Sequence, residues 1–160
     1  YRLAVKKGND KNGSNILATE RSKYFIDNPP SENYRRVVTA GNYLYRKKDN
    51  EAMSEYKSLL ESGSLTEDEK IICLYNMGEM EEKNGRTESA FDYFYKATTQ
   101  KPIVEKHLVP HAYYKLGKIS SQKSDFSKAK EYLTKADDYE NYYLEDHLKD
   151  SIKIELKKIK

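Results

Sequence analysis

Leu74-Tyr75-Asn76-Met77-Gly78 is followed by Ala90, Phe94, Ala97 and Pro102. The same order of large and small residues recurs downstream as Tyr113-x-x-Leu116-Gly117, then Ala129, Leu133 and Ala136. Upstream it reads Val37-x-x-Ala40-Gly41-x-x-Leu44, then Ala52, Tyr56 and Leu59. The step from Gly to Ala is 12 residues in two units (78 to 90, 117 to 129) and 11 in the other (41 to 52). A fourth trace, Asp10-Lys11-Asn12-Gly13 ahead of Ala18, parallels Glu82-Lys83-Asn84-Gly85 ahead of Ala90. The anchors Ala18, Ala52, Ala90 and Ala129 therefore stand 34, 38 and 39 residues apart. A period of this size with two helices per unit predicts an all-α solenoid, in which each pair buries little alone and stacking makes the core continuous.

The rest of the pattern agrees. Apolar residues recur at helical spacing almost throughout, and the strict alternation of a strand is missing. Breakers stand at Gly13, Pro29-Pro30, Gly63, Gly85, Pro102 and Pro110, with Gly13 and Gly85 read as turns between paired helices. The spacing predicts helices over 15–27, 32–47, 51–61, 67–83, 88–99, 110–122, 126–138 and 142–158. Thr66 with Glu69 has the spacing of a capping box. Ser31, Asp49 or Asn50, Thr87 and Asp125 are the other expected caps. Tyr142 and Tyr143 are expected to open the last helix, whose Leu144, Leu148, Ile152, Leu156 and Ile159 share one face and would cover the last pair.

Composition narrows the function classes. The 160 residues hold 29 basic and 26 acidic side chains, a net of +3, too small to imply nucleic acid by itself. That total hides an order: residues 1–60 carry +5, 61–92 carry −6 and 93–160 carry +4. No run of about 18 apolar residues exists, so no segment is expected to span a membrane. The single Cys73 excludes an internal disulfide and a multi-cysteine zinc site. Near a helix start its thiol could be activated by the dipole; a semi-buried structural thiol is the preferred reading. His107 and His111 are four apart, yet Pro110 between them argues for a helix start and against a shared metal, and no metal or cofactor is expected. The clusters Glu67-Asp68-Glu69 and Glu79, Glu81, Glu82 read mostly as solvated faces, and no carboxylate pair or phosphate-binding glycine loop is present. An enzyme is not expected. The chain begins at Tyr1 with no Met and no signal-peptide pattern, so an excised domain is expected, cytoplasmic or periplasmic, whose anchoring segment could lie elsewhere.

Leu74, Met77, Gly78, Ala90, Phe94, Ala97 and Pro102 resemble the tetratricopeptide repeat, a helix–turn–helix unit of about 34 residues. Two positions depart from the family pattern: Leu74 stands where Trp is commonest and Glu81 where Tyr is usual. The resemblance implies a right-handed α-solenoid of antiparallel pairs forming a single domain over 1–160. Its divisions would be a partial repeat at 1–30, repeats at 31–64, 66–102 and 109–140, and a terminal helix at 141–160. Gly41, Ala52, Gly78, Ala90, Ala97, Gly117, Ala129 and Ala136 would be close-approach anchors, with Phe94 and Leu133 packing between helices; Gly78 is expected to face Ala90.

In the resembled family the first helices line a concave groove. Transferred by register, that groove takes Arg35, Val38, Asn42 and Tyr45 from the first pair. The second pair supplies Ile72, Tyr75, Asn76, Glu79 and Lys83, and the third His111, Tyr114, Lys115, Lys118 and Gln122. One subset of the family clamps a partner's C-terminal carboxylates. Asn42, Asn76, His111 and Lys115 fall on its positions, but Val38 stands where it needs a lysine. Tyr34, Tyr45, Tyr75 and Tyr114 are candidate groove aromatics, since Tyr offers large contact area with few rotors. Tyr93, Tyr113 and Tyr132 are expected in the core. The implied function is a non-catalytic scaffold or adaptor that binds a protein or peptide, with an assembly or chaperone-like role in a bacterial envelope. Self-association into a longer solenoid is the alternative, and nucleic-acid binding by the basic segments ranks last.

Overall fold

The computed structural model describes residues 13–159, and over them the chain forms eight helices and no strand. These are α1 (Gly13–Asp27), α2 (Glu32–Tyr45), α3 (Asp49–Glu61), α4 (Glu67–Lys83), α5 (Thr87–Thr98), α6 (Leu108–Gln122), α7 (Phe126–Asp137) and α8 (Glu145–Lys158). Asp10, Lys11 and Asn12 of the upstream trace lie outside the described residues.

Local chemistry sets most of the boundaries. Ser31 caps α2 by accepting the Tyr34 amide at 2.9 Å. Thr66 and Glu69 form the full capping box of α4, with bonds of 3.2 and 2.8 Å. Asp125 caps α7 by accepting the Lys128 amide. Asp49 and Thr87, expected as caps, are instead the first helical residues after Lys48 and Arg86. Gly13 opens α1 and is not in a turn between helices, whereas Gly85 does turn the chain, at φ +74°. Pro110 sits in the first turn of α6, where its missing amide costs nothing. Tyr142 and Tyr143 precede the last helix, because Leu144 is left-handed at φ 63° and breaks the pattern there.

Sequential helices pair and the pairs stack. α2 packs on α3, α4 on α5 and α6 on α7, and each pair continues into the next first helix. The first helices also touch one another, α2 to α4, α4 to α6 and α6 to α8. The second helices α3, α5 and α7 do not, so the stack bends with the first helices on the inside of the curve. The core follows as three clusters. Val37, Ala40, Ala52, Tyr56 and Met77 hold the first junction. Leu74, Ala90, Phe94, Ala112 and Leu116 hold the second. Leu133, Ala136, Leu148 and Ile152 hold the α7–α8 end, with Leu156 and Ile159 against them. Tyr93, Tyr113 and Tyr132 pack at the margins of these clusters, half-buried.

The small anchors are fully buried at Ala52, Ala90, Ala97, Ala129 and Ala136. A methyl group on Gly78 would fall 2.7 Å from the Phe94 ring, so the close neighbour of Gly78 is Phe94 and not the expected Ala90. On Gly117 it would fall 2.7 Å from Leu133 and 3.3 Å from the Ala129 carbonyl oxygen. Burial pushes the Cys73 thiol up to about 12, the opposite of helix-dipole activation, so Cys73 is an inert core side chain.

Two segments depart from a plain stack. The α5–α6 connection is tied down by α4's first turn. Asp68 accepts the amides of Ile103, Val104 and Glu105 at 3.1, 2.9 and 2.8 Å, and Glu67 accepts that of Lys101 at 3.1 Å. Glu69 is only 3% exposed and also accepts the Ser31 hydroxyl at 2.5 Å. These carboxylates are structural ties and not the solvated face expected of them. Glu81 is likewise buried, in a two-bond pair with Arg86. The second departure is α1. Every other helix packs closely against a neighbouring helix; α1 does not, and instead meets the α5–α6 connection, where Arg21 pairs with Glu105.

Candidate functional site: the concave face

Three first helices supply the inner surface, because their mutual contact turns one face of each toward the same concavity. At one end Leu44 and Asp49 meet Asn76, Glu79, Met80, Glu82 and Lys83 around an open cavity of about 470 Å³. Nearer the helix starts, Val38, Gly41, Ile72 and Asn76 line a second cavity of about 230 Å³, with His107, Leu108 and Arg21 on its far side.

A single cation organises the middle of this face. Lys115 of α6 reaches back to α4 and pairs with Glu79 at 2.5 Å and Glu82 at 2.6 Å, and it lies 5.8 Å above the Phe94 ring centre. Burial would lower its pKa, but the two carboxylates outweigh that and hold it above the ordinary lysine value. Lys83 pairs with Asp49 at 2.8 Å in the same manner, linking the second unit to the first. Asn76 donates its side-chain amide to the Tyr56 hydroxyl at 2.9 Å, which fixes its orientation toward the interior. Tyr75 packs edge-on against Phe94 at 5.5 Å. Lys118 lies 5.8 Å above the Tyr114 ring.

The structure thus brings Tyr75, Asn76, Glu79, Tyr114, Lys115 and Lys118 into one network of neighbours on α4 and α6. Arg35 and Asn42 are exposed on α2, and Tyr45, 91% exposed, stands free at its end. His111 is half-buried, and its ring meets His107 edge-on at 6.1 Å. Burial, reinforced by neighbouring positive charge, pushes both imidazoles down to about 4, so both are neutral at physiological pH.

This geometry bears on the carboxylate clamp. Of the two third-unit bases in its register, His111 carries no charge and Lys115 is already neutralised twice. Val38 is apolar and 46% exposed. At the Lys115 position an incoming carboxylate would meet the acids Glu79 and Glu82, which already hold that lysine. Among the described residues no group of three or more His, Cys, Asp or Glu could hold a metal ion. No helix there is long and apolar enough to cross a membrane.

Sequence reasoning missed four residues at this site: Arg21, Asp68, Glu105 and Glu82 as the second partner of Lys115. Arg21 and Glu105 are 84 residues apart, and no periodic signal joins them. The capping-box position of Glu69 was readable, but not the three amides collected by its neighbour Asp68.

The family described as the tetratricopeptide repeat matches residues 110–143, which span α6, α7 and the turn beyond them. The chain carries a tetratricopeptide repeat. Comparison with curated proteins found no match, and neither did comparison with solved structures. The matched repeat contains a tight helix crossing, Gly117 on Leu133, together with His111, Tyr114, Lys115 and Lys118 of the inner face. Tetratricopeptide repeats are protein-interaction units, so the chain is, at that level, a scaffold for a protein partner.

Proposed function

We propose that this chain is a non-catalytic adaptor that binds an extended segment or helix of a partner protein in the concave face formed by α2, α4 and α6. The observation that carries this reading is the inner surface itself. It is continuous across three first helices and rigidly cross-braced by Lys115 and Lys83, yet it keeps Tyr114, Tyr45, Arg35 and Glu79 at the surface. Bracing lowers the entropy lost on binding, and aromatic and Arg side chains supply most of the energy at protein interfaces. With Lys83 and Lys115 internally paired and Glu79 still 44% exposed, the face favours a neutral or basic segment over an acidic one. In its finer form this reading makes the chain an assembly or chaperone-like factor of a bacterial envelope: the richness in Lys, Asn, Tyr and Ile suits a bacterial source, and the envelope role is what the resemblance to tetratricopeptide repeats implies.

Affinity capture from the source cell tests it. Tyr114→Ala with Glu79→Gln should lose the partner. Tyr95→Ala with Phe126→Ala, on the second helices at 51% and 47% exposure, should keep it. The opposite outcome places binding on the outer face and ends the groove reading.

A second reading, self-association, has one observation of its own. Ile154 of α8 is 56% exposed, on the end of the stack where a further unit would pack. Light scattering over a concentration series decides it: a strict monomer at all concentrations rules self-association out.

A further inference from the structure

The stack is longer between α5 and α6 than a plain repeat needs. Ala90 and Ala129 stand 39 residues apart, against a family period of about 34. The step from Gly to Ala stays at 12 in both units, so the added length lies ahead of Gly117. Residues 99–107 form the longest connection between the described helices, and residues 138–144, between α7 and α8, form the next longest. Loops held on a rigid scaffold are where binding residues gather. The first of these two is held rigidly, because Glu67 accepts the Lys101 amide and Asp68 accepts those of Ile103, Val104 and Glu105.

The two loops lie at one edge of the stack and enclose a cavity of about 240 Å³. Its walls are largely apolar. Pro102 of the first loop and Val109 of α6 face it, with Tyr139 and Tyr142 of the second loop. The rim carries opposite charge on the two loops: Lys101 and Lys106 on the first, Glu140 on the second. All three are exposed, and none forms a salt bridge among the described residues. Glu67 acts on Lys101 electrostatically, but its oxygens bond Lys70 and the Lys101 amide. Lys149, which feels Glu140, is paired with Glu145 at 2.9 Å. The cavity is smaller than the about 300 to 1,000 Å³ of a small-molecule pocket and suits one large side chain.

We propose that this edge cavity is a second docking site, which takes an extended segment of a partner protein bearing one Leu or Phe between an acidic and a basic residue. The apolar side chain fills the cavity. The acid meets Lys101 and Lys106, and the base meets Glu140. The buried side chain supplies most of the affinity, and the rim charges orient the segment. A segment of one charge sign meets repulsion on one of the two loops. The walls include none of Tyr114, Lys115 or Glu79, so the site stands apart from the concave face and does not rest on the groove reading.

The experiment pans random dodecapeptides displayed on phage against the whole chain. Enriched peptides should carry Leu or Phe with Asp or Glu on one side and Lys or Arg on the other. In a labelled synthetic copy, replacing that Leu or Phe by Ala should weaken binding about thirty-fold by fluorescence anisotropy. Lys101→Glu with Lys106→Glu changes exposed side chains and keeps the loop's amide bonds. It should weaken the same peptide about ten-fold, and panning on that variant should enrich a base in place of the acid. Tyr139→Ala, at a position 38% exposed, removes a wall and should weaken binding as well. Tyr114→Ala with Glu79→Gln, the groove pair, should leave it unchanged, which separates this test from the capture experiment. No such peptides on wild type, or peptides that bind the charge-reversed chain equally, overturns the proposal. Loss of binding in the groove pair assigns the peptides to the concave face and overturns it too. A wild-type dimer that charge reversal converts to monomer assigns the cavity to a second copy and overturns the partner segment.

Discussion

The α6–α7 pair and the α2–α3 pair carry the same anchors and pack differently. At Gly117 an added methyl would lie 2.7 Å from Leu133 and 3.3 Å from a carbonyl oxygen. At Gly41 the nearest atom would be the Tyr56 hydroxyl, 3.8 Å away. The Gly-to-Ala step is one residue shorter in the first pair, 11 against 12. There Tyr56 fills the junction, and its hydroxyl takes the Asn76 amide. The third pair is an apolar crossing at contact distance, and the first is a wider crossing whose Tyr56 hydroxyl is held from the next unit by Asn76 of α4. The same register position is an exposed Arg35 in α2 and a half-buried, neutral His111 in α6. A glycine in the right place therefore reports a repeat, not a tight contact; the residue opposite decides how close the helices come.

Four experiments probe that contrast. Leu133 is fully buried against Gly117, and Leu133→Ala should lower unfolding free energy by about 3 kcal/mol in urea titrations. A loss under about 1 kcal/mol would show that the third crossing collapses freely and is not tight.

The second concerns pH. His107 and His111 sit near 4 when folded and near 6.5 when unfolded, so the unfolded chain takes up protons first as pH falls. Stability is then complete above about pH 6.5 and declines from there to about pH 4, by up to about 3 kcal/mol for each histidine. The carboxylates of Glu67 and Glu81, held below the usual range by the Lys101 amide and by Arg86 respectively, add their own loss only below about pH 4.5. His111→Gln should flatten the upper part of that decline in the urea midpoint. An unchanged slope would show that the imidazole is not responsible.

Third, Gly117→Ala should destabilise by about 2 kcal/mol through overpacking. Gly41→Ala should be neutral or stabilising by up to about 1 kcal/mol, through the better helix propensity of alanine where space exists. Equal effects on thermal midpoint would erase the distinction between the two crossings. The smallest expected change is Tyr56→Phe, which keeps the ring and removes the bond to Asn76, at about 1 kcal/mol. A null result there would mean that water replaces the hydroxyl for Asn76.

Much of this was legible beforehand. Helix after helix follows from apolar spacing, and the boundaries from Ser31, Thr66 with Glu69, Asp125 and Pro110, because caps and first-turn prolines act within a few residues of chain. The misplaced start of α8 shows the limit. Apolar periodicity runs through Tyr142 and Leu144, but a left-handed Leu144 delays the helix to Glu145. The inner-face residues were placed by register, and Tyr75, Asn76, Glu79 and Lys115 do lie together. The charge state of the face was not legible, since the pairing of Lys115 with Glu79 and Glu82 depends on how two units stack.

By itself the sequence determined an all-helical chain of paired elements with a repeated small-residue register, because those properties rest on spacing and local hydrogen bonding. Only the tertiary structure decided that the acids at the start of α4 organise the following connection. It alone decided that two histidines are neutral by burial, and that Arg21 meets Glu105 across 84 residues. Pairings of that kind are set by where stacked helices bring distant side chains, and nothing in a linear period records them.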